Sequence, residues 1–138
     1  MERGLFVAFA LGFLLMGGCA SKSPQTHTKS EPYIRSELAP LLAFEETQKF
    51  LEWQKGYNIQ VKDSVRGIMV TDWIEENPLS RHQFTIRVNR DVDGSIVTVH
   101  LNLEQFESNR WRSVIAAPQW ENKMISELRN YLMAKISR

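Results

Sequence analysis

Three short breaks, Asp63-Ser64, Asn77-Pro78 and Asp91-Val92-Asp93-Gly94, separate four runs patterned as strands. These breaks constrain the fold more than any other feature. A parallel crossover needs a dozen or more residues, so strands joined this tightly are antiparallel neighbours. In the first run Tyr57, Ile59 and Val61 alternate with Asn58, Gln60 and Lys62. The second, residues 67–74 (GIMVTDWI), is apolar on both faces apart from Asp72. In the third, Phe84, Ile86 and Val88 alternate with Thr85, Arg87 and Asn89; in the fourth, Val97, Val99, Leu101 and Leu103 alternate with Thr98, His100 and Asn102. Gly94 suits the positive φ of a hairpin loop. Residues 104–119 carry Phe106, Trp111, Val114 and Ile115, so they pack on the domain as a fifth short strand or as an irregular cover.

A helix is expected on each side of the strands. In residues 43–55, Ala43, Phe44, Thr47, Phe50, Leu51 and Gln54 share one side, with Glu45, Glu46, Lys49 and Glu52 around the other. Pro40 suits the start of this helix and Gly56 its stop. In residues 120–136, Trp120, Met124, Ile125, Leu128, Tyr131, Leu132 and Ile136 form one apolar stripe. That stripe needs a concave partner, which a twisted four-stranded sheet supplies. Its polar face is mixed rather than basic, which argues against a helix lying on a membrane. The order α-β-β-β-β-α, with helices on one face of an antiparallel sheet, defines an α+β fold.

The chain opens differently. Residues 5–16 are apolar but for Gly12, and Arg3 precedes them. That length fits the apolar core of a signal peptide and falls short of the roughly 20 residues of a membrane-spanning helix. Gly17 and Gly18 then lead to Cys19, the single cysteine, which allows no intramolecular disulfide and no Cys/His zinc spacing. Met16-Gly17-Gly18-Cys19 resembles the lipobox of a bacterial lipoprotein signal, with Met16 where Leu is usual and Leu15 one place earlier. The resemblance implies a diacylglyceryl group on the Cys19 thiol, cleavage before Cys19 and acylation of the new amine. Two or more acyl chains anchor a protein stably. Ala20, where an Asp would imply inner-membrane retention, implies the outer membrane. A plain secreted protein and an uncleaved anchor are the alternatives. Residues 1–18 are thus read as signal peptide and 19–42 as lipidated cysteine and flexible tether, rich in Pro, Ser and Thr. Residues 43–138 are read as the folded domain.

A net charge of +1, from 17 basic and 16 acidic residues, gives no electrostatic case for nucleic acid. GxSxG, Walker and HExxH motifs are absent. His27 falls in the tether, His82 at the start of a strand and His100 within one; no third metal ligand accompanies them, and each is read as a surface-polar side chain. Glu45-Glu46 and Glu75-Glu76 are adjacent pairs, which point apart on a strand and read as solvated charges. The expectation is a non-enzyme with no metal and no cofactor beyond the covalent lipid on Cys19. Arg110-Trp111-Arg112 is a basic–aromatic cluster, read as a loop anchored by Trp111 or as a stacking surface for a sugar or peptide.

RGIMVTDWIEE, residues 66–76, inside this order of elements resembles the BamC-type lipoproteins of the outer-membrane β-barrel assembly machinery. The matching positions are Gly67, Val70, Thr71, Asp72 and Trp73. VTVHLNLEQF, residues 97–106, resembles a later strand of that family's domain, and the terminal amphipathic helix fits it. The resemblance implies a helix-grip domain, a curved antiparallel sheet wrapped on a long C-terminal helix. It further implies a periplasm-facing, outer-membrane-anchored interaction module, accessory to outer-membrane protein assembly, with assembly components as partners. Family members have a longer arm, which docks on the lipoprotein BamD, and two such domains. Residues 20–40 show no equivalent of that arm.

Thr71, Trp73 and Trp111 are the candidate partner contacts. If Ile68 and Val70 face the helix, Trp73 lies on the open sheet face, where an exposed aromatic marks a contact site. If Met69 and Thr71 face in, Trp73 caps the core. A ligand-binding lipoprotein with a cavity between sheet and helix, and an envelope structural lipoprotein unrelated to barrel assembly, are the alternative readings.

Overall fold

The longest pairing among the described residues is the hairpin that Asp91-Val92-Asp93-Gly94 closes. In a computed structural model of the chain, which describes residues 33–137, its arms are β5 (Ser80–Asp91) and β6 (Gly94–Glu107), in register from Asp91↔Gly94 to Ser80↔Gln105. The alternation Phe84, Ile86, Val88 on one arm and Val97, Val99, Leu101 on the other puts all six on one face, each buried.

The other elements assemble on this ribbon. In chain order they are β1 (Tyr33–Ser36), α1 (Pro40–Lys49) continued by a π-helical turn (Phe50–Gln54), β2 (Ile59–Asp63), β3 (Ile68–Thr71), β4 (Ile74–Asn77), then β5 and β6, β7 (Arg110–Val114) and α2 (Pro118–Ile136). The sheet runs β1-β6-β5-β3-β2, with β4 also on β5 and β7 also on β6, and every pairing is antiparallel. Both helices cover the face that carries Phe84 and Val99: Ala43, Phe44, Phe50 and Leu51 from the first, Met124, Ile125, Leu128 and Leu132 from the second. Each such side chain contributes roughly 1.5–3 kcal/mol on burial. The molecule is α+β, with the helix–sheet–helix order read from the sequence.

The helix ends follow local chemistry. Pro40 starts α1, where a proline costs no hydrogen bond. Gly56 ends the first helical segment at φ +68°, which lets Tyr57 N–H reach back to the Leu51 carbonyl at 2.9 Å. Glu46, read as solvated, is instead a buried strut between the helices. Lys49 Nζ lies 2.6 Å from its Oε1, and the Tyr131 hydroxyl donates to its Oε2 at 3.1 Å. The Lys49 bond chiefly, with help from Tyr131 and Lys135, holds its carboxyl below the usual carboxylate range against the opposing effect of burial.

Four expectations are corrected and one open alternative, for residues 104–119, is decided. Among the described residues the sheet has seven strands, not four. Residues 33–36, placed in the tether, form β1, an edge strand registered on β6 from Tyr33↔Thr98 to Ser36↔Ser95, so the fold begins well before residue 43. Ile34 is fully buried there, which the polar composition around it hides. Residues 104–119 finish β6 and form β7 across a two-residue turn, Ser108-Asn109, with φ of 51° and 62°. Trp120 is 44% exposed at the start of α2 rather than inside the stripe, and Gln54 is exposed.

Candidate functional site

The second apolar run breaks where the sequence reading left two options open. Met69 and Thr71 face the helices, both fully buried. Regular alternation would send Trp73 inward after them. Instead the pairing with β5 slips: Val70 stands opposite Thr85, but Ile74 stands opposite His82. Four residues on one strand therefore span three on the other, a β-bulge at Asp72-Trp73. Ile74 takes the inward slot and Trp73 turns to the helix-free face. Gln83 and Thr71 repair the disturbed ladder. The Gln83 side-chain amide donates to the Thr71 carbonyl at 2.9 Å, and Thr71 Oγ1 accepts the Phe84 N–H at 3.0 Å. Thr71 is thus part of the sheet's own bonding and offers no surface to a partner.

On the helix-free face Trp73 meets Arg81. The guanidinium carbon lies 4.4 Å from the Trp73 ring centre and 4.2 Å from that of Trp111. Trp111 reaches this point because β7 pairs with β6 and sets it opposite Phe106, the two ring centres 5.3 Å apart. Arg81 is directly opposite Glu104, and its Nε and Nη2 both donate to Glu104 Oε2, at 2.8 and 2.7 Å. The cation is therefore held by a carboxylate at its rim while its faces lie against indole rings, an arrangement worth roughly 0.5–2 kcal/mol per ring. Phe106, at 36% exposure, and Leu79, at 60%, extend the patch, and the Phe106 N–H bonds the Leu79 carbonyl.

Trp73 and Trp111, singled out from distant parts of the sequence, thus come together, and Arg81 between them was missed. Counting the hairpin register outward from Asp91↔Gly94 pairs Arg81 with Glu104, a signal the sequence does contain. His82 was also misread as surface-polar. It continues the inward alternation of Phe84, Ile86 and Val88 and is 5% exposed, its ring edge-on to Phe84 at 5.4 Å and 5.8 Å from Trp120. Burial pushes its pKa below the ordinary histidine value, with Glu76 acting weakly in the other direction. His100 is exposed, 3.7 Å from the Glu121 carboxylate, which also accepts the Leu101 N–H at 3.1 Å.

Among the described residues no three His, Cys, Asp or Glu side chains gather as a metal site, and no helix is long and apolar enough to cross a membrane. Cys19, the segment 1–18, His27 and the tether up to residue 32 lie outside the described residues. No family model matches the chain, and no curated protein matches it.

Proposed function

We propose that the chain is a lipoprotein anchored in the outer membrane through Cys19. On this reading its domain faces the periplasm and acts as a non-enzymatic protein-interaction module, accessory to outer-membrane protein assembly. The address rests on the apolar run ending in Met16-Gly17-Gly18-Cys19. The interaction role rests on one observation, the convergence of Trp73 and Trp111 on Arg81 on the sheet face opposite α1 and α2. Trp and Arg are the residues most enriched at binding hot spots, and a pre-stacked trio loses little entropy when a partner covers it. The assembly machinery as partner rests on the resemblance of residues 66–76 and 97–106 to the BamC-type family, together with the shared order of elements.

A photo-crosslinking phenylalanine analogue at Phe106, which keeps the ring beside Trp111, tests the reading in cells. Adducts with β-barrel assembly components, lost in Trp73→Ala, are the expected result. Adducts confined to unrelated envelope proteins would leave the interaction role and remove the assembly role. Cys19→Ser is expected to abolish fatty-acid labelling and release the protein from the membrane fraction.

A further inference from the structure

Beneath the first turn of α2, a cleft of about 130 Å³ lies between the sheet and the residues leading into the helix. Leu101, Leu103 and Ala116 give it apolar walls, and the half-exposed Trp120 ring stands at its side. Its polar lining residues are His82, Glu76 and Ser80. The His82 imidazole is 5% exposed, yet its Nδ1 has no hydrogen-bond partner. Glu76 Oε1 is 3.5 Å away, beyond the 2.7–3.2 Å of a formed N–H···O bond. A buried polar atom left unpaired costs roughly 1–3 kcal/mol, so an unpaired Nδ1 at the wall of an apolar cleft marks a place for a hydrogen-bonding partner. In the tautomer with its proton on Nε2, Nδ1 and the Glu76 carboxylate both present acceptors to the cleft, which Ser80 also lines.

We propose that this cleft binds a small apolar group, about the size of a benzene ring, that carries one hydrogen-bond donor. The donor is shared by His82 Nδ1 and Glu76, and the apolar body lies against Leu101, Leu103 and Trp120. The size follows from the volume, since a dry apolar cavity of about 150 Å³ accommodates benzene. Glu76 excludes ligands bearing a carboxylate. A free aromatic alcohol and the tyrosine side chain of a peptide offer the same chemistry. The site is on the helix-covered face of the sheet and stands independently of the Trp73–Arg81–Trp111 patch.

The test is a titration of the full chain in mild detergent, read from the ¹⁵N resonances of the His82 imidazole. Phenol is expected to shift them saturably, and toluene of similar shape to bind about tenfold more weakly, the equivalent of one hydrogen bond. Benzoate is expected to leave them unmoved. Ala116→Leu, which fills the cleft, is expected to abolish the response; the phenol, toluene and benzoate comparison needs no variant should that one fail to fold. A capped tyrosine that binds as tightly as phenol assigns the site to a peptide side chain, and one that does not bind assigns it to a free small molecule. The proposal is overturned by no saturable shift with phenol, by equal binding of phenol and toluene, or by an Nδ1–H tautomer bonded to Glu76 that persists through the titration.

Discussion

The Arg81 guanidinium carbon lies 4.4 Å from the centre of the Trp73 ring, and a bulge in the neighbouring strand is what brings that ring there. The same cation lies 4.2 Å from Trp111 and is bonded twice to one Glu104 oxygen. Arg81→Ala removes both stacking contacts and leaves a largely covered carboxylate without its donor. The expected loss of stability is about 2–3 kcal/mol in urea unfolding. Arg81→Lys keeps the charge but loses the planar fork, and is expected to recover less than half of it. An Arg81→Lys variant as stable as the parent would show that stacking contributes nothing.

His82 makes stability depend on pH in a defined direction. Its folded pKa is pushed below the unfolded value of about 6.5 by burial. Between those two values the unfolded chain holds the extra proton, so stability rises with pH there. It is complete above about pH 6.5 and declines as pH falls toward the folded pKa. The His82→Gln variant, compared with the parent by denaturant unfolding from pH 7 down to pH 5, is expected to show a flatter profile. Parallel profiles for the two proteins would place the dependence elsewhere.

Two glycines separate backbone strain from collision. Gly56 and Gly67 have nearly the same φ, +68° and +65°. A Cβ on Gly56 meets nothing within 4 Å, whereas one on Gly67 falls 2.1 Å from the Val88 carbonyl oxygen. Gly56→Ala is expected to cost about 1 kcal/mol, the price of the left-handed backbone alone. Gly67→Ala is expected to cost at least about 2 kcal/mol more, because β5 must shift and the 2.8 Å bond from Val88 N–H to the Gly67 carbonyl shifts with it. Thermal unfolding of both variants gives the difference directly.

The β6–β7 turn carries removable strain. Ser108 and Asn109 both have positive φ, 51° and 62°, in a two-residue loop. Asn-Gly is the preferred pair for that geometry. The double variant Ser108→Asn, Asn109→Gly is expected to raise stability by about 0.5–1 kcal/mol and leave the Phe106–Trp111 contact unchanged. A lowered melting temperature would contradict the turn geometry.

The sheet's middle was legible because its signals are local. The alternation in residues 84–88 and 97–103 and the Gly94 turn determine the β5–β6 hairpin, and the stripe Met124, Ile125, Leu128, Leu132 determines how α2 lies on it. What was not legible depends on pairing across the sheet. The strand at Tyr33–Ser36 is too short to show a period, and it exists because the β6 edge receives it. Gly94 belongs to that contact as much as to its own turn, since a Cβ there would fall 2.1 Å from the Ser36 carbonyl oxygen. His82 and Trp120 exchanged environments relative to expectation. The polar ring ends an inward-facing series, while the larger apolar one stands where α2 extends past the packed interior. Trp73 could not be placed by alternation, because its orientation is set by a slip in register and not by its own strand.

That slip has a consequence for descent as well as for structure. The inserted residue at Asp72-Trp73 acts as a phase shift: upstream, odd-numbered positions point inward, and downstream, even-numbered ones do. A chain one codon shorter at Asp72 would return to plain alternation from Thr71 to Ile74, with Trp73 still facing outward and Ile74 still opposite His82. Plain and bulged pairing thus present the same patch, and a single insertion or deletion at Asp72 can interconvert them with no substitution at any residue that forms it.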